Sequence, residues 1–458
     1  MTPEEQEALS RAPSDLNLAK LGAAGTKAKS DLQLAPEDKW IPSLDIETFA
    51  AELKDLGKKL AAQQGSEDAE HLYKIVRWSR TCTAVGLLTS VWIVNPISVA
   101  LLALGCMTRW TIVAHHVCHG GFDKVNTGGR YNRFSFGVGS LWRRCTDWLD
   151  WMLVEAWNIE HNTLHHYHLG ESGDPDLVER NMEMVRDAPR WLLPFKYVAM
   201  VWNIMTWKWF YYAPNTFKVL KLNESRRKGI EVPFSKKSIE APCAIFSWYV
   251  PGYDKFFTNV EFFGRVLGPF FFARFVAVPA LAALIVSGGA SALFGATPAA
   301  AAALARSTAQ TSLVNLFLGE ILTNVWAFIV IVTNHAGDDL YRFEGHAPAR
   351  SASFYLRQTI SSVNFRTGGA EGGFWADLND FMHGWLNYQI EHHLWPDLSM
   401  RSYQKAAPLV QAICKKHGVP YVQHNVFWRF KQTIDISVGN SSMRRFPVEH
   451  HHSDITCD

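Results

Sequence analysis

Residues 81–113 read TCTAVGLLTSVWIVNPISVALLALGCMTRWTIV. The stretch is too long for one membrane crossing, which takes about 20 apolar residues. Pro96 disfavours a continuous helix and, with Asn95 before it, favours a turn. The stretch therefore predicts a tight pair of membrane helices, the first of them shorter than usual and beginning near Trp78.

Two further regions are apolar enough to cross a bilayer, residues 269–288 and 312–333. Arg274 lies near one end of the first, where it can snorkel to the interface. With the hairpin these regions give four crossings. Residues 287–311 between them are rich in Ala, Gly and Ser and hold only Arg306 as a charged residue. We expect them to form a loop on the side of the membrane opposite the cytosol.

Residues 191–212 are aromatic but include Lys196 and Lys208, a composition typical of a helix that lies in the membrane interface. Residues 218–237 hold seven basic and two acidic residues, as a cytoplasmic loop does. We therefore place the N-terminus and the histidine motifs described below on the cytosolic side. If residues 191–212 are not counted as a span, an even number of crossings separates the motifs, and the motifs therefore share one side of the membrane.

The composition of the 458-residue chain agrees with a membrane protein, since 48% of residues are hydrophobic and only 19% are charged. Soluble domains have roughly 25% charged residues. Residues 1–70 hold 8 basic and 14 acidic residues, so the remainder is net basic. Without a Lys/Arg-rich block this favours membrane lipids over nucleic acid as partners. The seven cysteines are scattered, which excludes a readable disulfide framework.

We expect three parts: a partly disordered cytosolic arm at residues 1–77, a membrane domain at residues 78–425 and a tail at residues 426–458. His450, His451 and His452 fall in the tail, where disorder is favoured. The predicted fold class is an all-α integral membrane protein with four transmembrane helices and a cytosolic helical cap.

Three histidine motifs lie next to predicted membrane boundaries: AHHVCHGG at 114–121, EHNTLHHYHLG at 160–170 and NYQIEHHLWP at 387–396. His115 and His119 are four apart, as are His161 and His165, so on a helix each pair shares a face. His335 follows the last predicted span. These imidazoles exceed the needs of one ion and predict a two-metal centre, although spacing leaves iron, copper, nickel and zinc open.

The pattern HxxxH, HxxxHH and QxxHH around four membrane helices resembles the membrane-bound fatty acyl and lipid desaturases. The resemblance covers residues 78–425. QIEHHLWP, with Gln389 in place of a histidine, resembles the front-end type and some sphingolipid desaturases. The resemblance implies eight iron ligands: His115, His119, His161, His165, His166, His335, His392 and His393. We further expect weak ligands, or groups that orient a ligand, at Gln389, His116 and His168.

The resemblance also implies two iron ions, O2 as co-substrate and removal of two hydrogens from neighbouring methylenes of a fatty acyl chain. Many front-end enzymes carry a fused cytochrome b5 domain with an HPGG motif, and this chain holds none. We therefore expect electrons from a separate carrier, cytochrome b5 or ferredoxin, with residues 218–237 as one docking surface. A hydroxylase with the same ligands and, from a different class, a metal transporter remain open.

A few further residues are weaker candidates for a role near the histidines or inside a span. His383 precedes the third motif, while Asp174, Asp176, Asp338 and Asp339 sit near predicted ligands and suit hydrogen bonds to imidazoles. Glu320 lies inside a predicted span, where we expect a buried, hydrogen-bonded or protonated carboxyl group.

Overall fold

The computed structural model of this chain describes residues 34–148, 150–231, 259–367 and 372–456, and most of them are helical. The main helices are α1 Ile46–Ala62, α2 Ser66–Thr89, α3 Pro96–Cys118, α4 Val154–Trp157, α5 Leu193–Trp207, α6 Phe262–Phe294, α7 Pro298–Asn334, α8 Ala352–Ile360, α9 Phe374–Met382, α10 Gln389–Leu394, α11 Met400–His417 and α12 Val426–Val438. Helical residues Lys208–Tyr212 and Ala213–Arg227 continue α5, and the π-helical turn Asn158–His165 continues α4. Strand β1 Tyr341–Arg342 pairs in parallel with β4 Arg444–Arg445, and β2 Asn364–Phe365 with β3 Gln423–His424.

Shorter helical turns connect these elements. They cover Pro36–Asp38, Ile41–Ser43, Leu141–Arg143, Arg144–Trp148, Val178–Asn181, Glu183–Arg186, Arg190–Leu192, Asn259–Glu261, Leu386–Tyr388 and Val448–His450.

Three helices of the described chain, α3, α6 and α7, are long and apolar enough to cross a membrane. The predicted hairpin is present, because α2 ends at Thr89 and the Asn95 side chain caps α3 by accepting from Ser98 N. However, α2 begins at Ser66, well before Trp78, and although its 24 residues are long enough, it is not among the helices apolar enough to cross a membrane. The predicted boundary at residues 77 and 78 lies within α2, and the division into three parts stays a prediction.

The expected loop at residues 287–311 is wrong. Helix α6 runs to Phe294 and α7 starts at Pro298, so only a short turn separates them. Alanine has the highest helix propensity, and an Ala-rich stretch therefore extends both helices. Gly295 closes α6 in the left-handed conformation (φ 65°), and the Thr297 hydroxyl caps α7 by accepting from Ala300 N.

Arg274 does not snorkel to an interface. Its guanidinium is buried, with Nε 2.8 Å from Glu320 Oε1, and Trp151 Nε1 donates to the other oxygen of Glu320 at 2.9 Å. The expectation that Glu320 is buried and hydrogen-bonded is therefore confirmed. Opposite charges on the adjacent helices α6 and α7 therefore pair inside the protein.

Helix α5 exposes an apolar face that includes Phe195, Val198 and Trp202. Its lysines do not reach a lipid surface, contrary to the sequence argument. Lys196 donates to the carbonyls of Arg186 and Val438, and Lys208 pairs with Asp150 at 2.7 Å. The exposed apolar face still suits contact with a membrane.

Both described ends of the chain pack on its middle. Helix α1 contacts α8 and α11, and α12 contacts α5. The expectation of a disordered tail around His450–His452 is wrong, because β4 pairs with β1 and Val448–His450 forms a helical turn. Within α12, the fully buried Arg429 binds both oxygens of Asp339 at 2.7 and 2.8 Å and donates to the carbonyl of Ala336. This contact supports the segment that follows His335.

Candidate metal centre

Four segments bring the eight predicted histidine ligands together: the end of α3, the π-helical turn after α4, the residue after α7, and α10. All eight side chains are buried. They form two adjacent groups in which the candidate ligand atoms lie within 4.8 Å of one another. The five-histidine group contains His115, His119, His161, His166 and His392, and the three-histidine group contains His165, His335 and His393.

Contacts between segments hold the five-histidine group together. His115 Nε2 lies 3.0 Å from His161 Nε2, and the rings of His119 and His166 meet with centroids 4.3 Å apart. His392 contacts the rings of His115 and His119 at 4.6 and 4.8 Å.

The three-histidine group lies directly beside it. His335 approaches the rings of His165 and His393 at 4.8 and 4.9 Å. Gln389 Nε2 is 2.9 Å from His335 Nε2, so the residue that replaces a histidine in the third motif reaches this group. The rings of His393 and His166 stack across the two groups, with centroids 4.3 Å apart and planes 19° apart.

The division of the second motif differs from a simple helical pattern. In an α-helix, His161 and His165 share one face. Residues Asn158–His165 form a π-helical turn, and His166 N bonds to His161 O, five residues back. This wider turn brings His166 into the same group as His161. His165 belongs to the other group, but its ring stacks on that of His161 with centroids 5.1 Å apart, and the two histidines form a third, overlapping candidate group with Asp176. The sequence candidate Asp176 therefore lies beside the ligands, with Oδ2 3.8 Å from His165 Nδ1. A sequence repeat of four residues does not reveal such a turn, which in proteins often marks a functional site.

Unpaired nitrogen atoms test whether the two groups suit metal ions. Several buried ring nitrogens have no hydrogen-bond partner in the described chain: Nε2 of His119, His165, His166, His392 and His393, and Nδ1 of His335. Buried polar atoms are normally paired, and leaving one unpaired costs about 1–3 kcal/mol. Imidazole nitrogen is a preferred ligand of iron, copper, nickel and zinc. The residues therefore fit a two-metal centre.

Hydrogen bonds to neighbouring oxygen atoms determine which nitrogen of each imidazole keeps its lone pair for a metal. His165 Nδ1 is 2.8 Å from Asp174 Oδ1, and His115 Nδ1 is 3.2 Å from the carbonyl of Thr111. Because these oxygens only accept, each Nδ1 carries the proton and each Nε2 keeps its lone pair for a ligand bond. His392 Nδ1 is 3.4 Å from the Tyr403 hydroxyl, a longer contact of the same kind.

The protonation of the histidines also suits metal binding. Burial lowers the pKa of His119, His161 and His166 well below its usual range, and it lowers the pKa of His335 to about 3. Burial also opposes charge on His165, but the Asp174 carboxylate outweighs it and raises the pKa of this imidazole. Neutral imidazoles are the form that binds metals.

The remaining sequence candidates have different positions. His116 packs against the rings of His115 and His392, with Nδ1 2.7 Å from the carbonyl of Ile112. His383 bonds to the carbonyl of Asn379 and contacts Phe365, which places it outside the two groups. Asp338 and Asp339 bind Gln432 and Arg429 rather than the ligand imidazoles. Asp339 also lies 3.8 Å from His424 Nε2, which belongs to neither histidine group.

His168 belongs to a separate cluster. His168 Nδ1 and His346 Nδ1 lie 3.0 and 2.9 Å from Glu171 Oε2, and Arg357 donates to Glu171 Oε1 at 2.6 Å. No buried side-chain nitrogen or oxygen of this cluster lacks a partner in the described chain, whereas Nε2 of His119, His165, His166, His392 and His393 does. It therefore acts as a hydrogen-bonded clamp between the second motif and the segment after β1.

Sequence reasoning missed two residues that contact the ligands, Gln358 and Tyr403. Gln358 lies on α8 and Tyr403 lies on α11. Both are outside the histidine motifs, and no local sequence pattern marks them. The docking surface proposed at residues 218–237 lies partly outside the described residues. In its described part, Lys221 pairs with Glu224 and Glu261, and Lys218 is buried.

Comparison with known proteins identifies the kind of chain that builds this site. A stearoyl-CoA 9-desaturase of Mycobacterium tuberculosis, named as NADPH-dependent, is 25% identical over 397 residues, which cover 84% of this chain and 79% of the relative. A Delta(8)-fatty-acid desaturase of Euglena gracilis is 33% identical over 116 residues, 24% of either chain. A fatty acid desaturase 2-like protein of Mus musculus is 36% identical over 89 residues, 19% of this chain and 18% of the relative.

No solved structure matches the chain. The family model for fatty acid desaturase matches residues 90–425, which include every histidine of the two groups. The chain is therefore a member of the fatty acid desaturase family.

Proposed function

We propose that the protein is a di-iron enzyme that uses O2 to desaturate a fatty acyl chain, carried as an acyl lipid or as acyl-CoA. The observation that carries this proposal is the pair of buried histidine groups with unpaired ring nitrogens. When bound there, two iron ions would supply the chemistry that removes hydrogen from unactivated methylenes. The protein's own part is to hold the ligands neutral and oriented in a buried site.

We assign His115, His119, His161, His166 and His392 to one iron and His165, His335 and His393 to the other. Gln389 beside His335 is the proposed weak ligand or water-binding group of the smaller set. The front-end regioselectivity suggested by QIEHHLWP is part of the proposal, and its support is the similarity to the Delta(8)-fatty-acid desaturase.

We propose four crossings. Three are α3, α6 and α7, which are long and apolar enough to span a membrane, and the fourth is the second half of α2, which is less apolar. Asn315 Oδ1 accepts from Asn95 N, and Asn315 Nδ2 donates to the carbonyls of Ser90 and Ile93. These contacts join the α2–α3 turn to α7 at a point 20 residues before His335. At 1.5 Å per residue this is about 30 Å from the histidines, roughly the thickness of the bilayer core. The histidine groups would then face the cytosol within a helical cap.

Electrons would come from a separate carrier, cytochrome b5 or ferredoxin. The similarity to an enzyme named as NADPH-dependent is compatible with reducing equivalents that start at NADPH. The proposed partners are thus a fatty acyl substrate, membrane lipids and an electron-transfer protein.

The test is analysis of acyl chains by gas chromatography and mass spectrometry in a host that expresses the chain, beside its His393→Ala variant. Each carrier is co-expressed in turn. We expect a new unsaturated species with the intact chain and none with the His393→Ala variant. The position of its double bond gives the regioselectivity. A hydroxylated product would replace desaturase with hydroxylase, and oxygen-independent zinc uptake without a new acyl species would favour a transporter.

A further inference from the structure

Gln358 on α8 contacts both histidine groups at once. Its side chain is 1% exposed and lies away from the three histidine motifs in sequence. Its Nε2 donates to the main-chain carbonyl of His166 at 3.0 Å, and its Oε1 is 3.1 Å from His393 Nδ1.

The orientation of the Gln358 amide follows from its partners. A carbonyl oxygen can only accept a hydrogen bond, so the NH2 group must face His166. The amide oxygen then faces His393, and His393 Nδ1 must carry the proton. His393 Nε2, which is buried and has no partner in the described chain, is left with its lone pair.

The two partners of Gln358 belong to different groups. His166 is in the five-histidine group and His393 is in the three-histidine group, and their rings stack at 4.3 Å. One side chain therefore holds the backbone of one ligand and the ring of the other. We propose that Gln358 is a positioning residue that sets the relative placement of the two metal-binding groups. This inference rests on the proposed two-iron function.

The test uses the full-length protein, purified in detergent and loaded with iron. Gln358→Met removes both hydrogen bonds at similar length, and Gln358→Glu keeps the acceptor for His393 but loses the donor to His166. Thr359→Val is the matched control, because Thr359 is buried on the same helix, where its hydroxyl donates to the Tyr355 carbonyl, and no other side-chain bond of Thr359 is found among the described residues.

The measurements are iron affinity, iron per chain, and the share of iron in a magnetically coupled pair by Mössbauer spectroscopy. We expect Gln358→Met to weaken iron binding about 10–100-fold, as loss of a group that orients a ligand typically does. The coupled share should also fall, with Gln358→Glu between Gln358→Met and the wild type. Thr359→Val should match the wild type, and a melting temperature close to that of this control separates the effect from general destabilisation.

Wild-type affinity and a wild-type coupled share in Gln358→Met would overturn the inference. If Gln358→Met does not fold, the same comparison is made with Gln358→Glu, and an unchanged coupled share there overturns it equally. A wild-type protein that binds no iron overturns the proposed function and the inference together. Two irons in every variant, with unchanged affinity and coupling, overturn the inference alone.

Discussion

His115 Nε2 lies 3.0 Å from His161 Nε2, although the two residues are 46 positions apart in the chain. Two metal–imidazole bonds of about 2.1 Å at a right angle would leave their nitrogens about this far apart. The end of α3 and the turn after α4 therefore already have the spacing of ligands on one ion.

Loss of one ligand from the three-histidine group should stop turnover. His165→Ala and His393→Ala each remove one of three imidazoles, and we expect activity to fall below detection while the protein still inserts into the membrane. Product formation and membrane fractionation measure the two effects. Near-normal turnover in either variant would refute the assignment of these residues as ligands.

Asp174 should affect iron binding through its hydrogen bond with His165. Asp174→Asn replaces the carboxylate that holds the Nδ1 proton of His165, and we expect iron affinity to fall about 10–100-fold. The control is Asp187→Asn, an exposed position further along the same segment. Iron titration of both variants checks this, and equal affinities would show that the carboxylate does not tune the ligand.

Arg429 should support the fold near His335. Arg429→Met leaves Asp339 without its bidentate partner, and we expect a loss of about 3–5 kcal/mol in the free energy of unfolding, as for other broken buried ion pairs. Lys431→Met is the control on the same helix, because Lys431 is exposed and its ion pair with Asp435 contributes little to stability in water. Unfolding in mixed micelles gives both values. Similar losses in the two variants would contradict a special role for the pair of Arg429 and Asp339.

The ion pair between Arg274 and Glu320 should be a stability element. We expect Glu320→Gln or Arg274→Met alone to destabilise the protein by about 3–5 kcal/mol, because each leaves a buried charge without its counter-charge. The double variant should recover most of that loss. If the two single losses simply add in the double variant, the groups are not coupled.

The sequence predicts the convergence of the histidines better than the helices around them. Every histidine proposed as a ligand joins one of the two groups, since the motifs lie at helix ends that converge. The π-helical turn that brings His166 beside His161 and the contacts of Gln358 depend on tertiary packing, which short motifs do not encode. The interior placement of Arg274 was missed because its partner Glu320 lies on another helix.

Iron content per chain tests most directly whether the two histidine groups hold two iron ions that carry out desaturation. The measurement is made on purified protein of known desaturase activity, beside His335→Ala. We expect two irons per active wild-type chain, and loss of one iron together with the activity in the variant. An active wild-type chain that holds one iron or none would contradict this expectation.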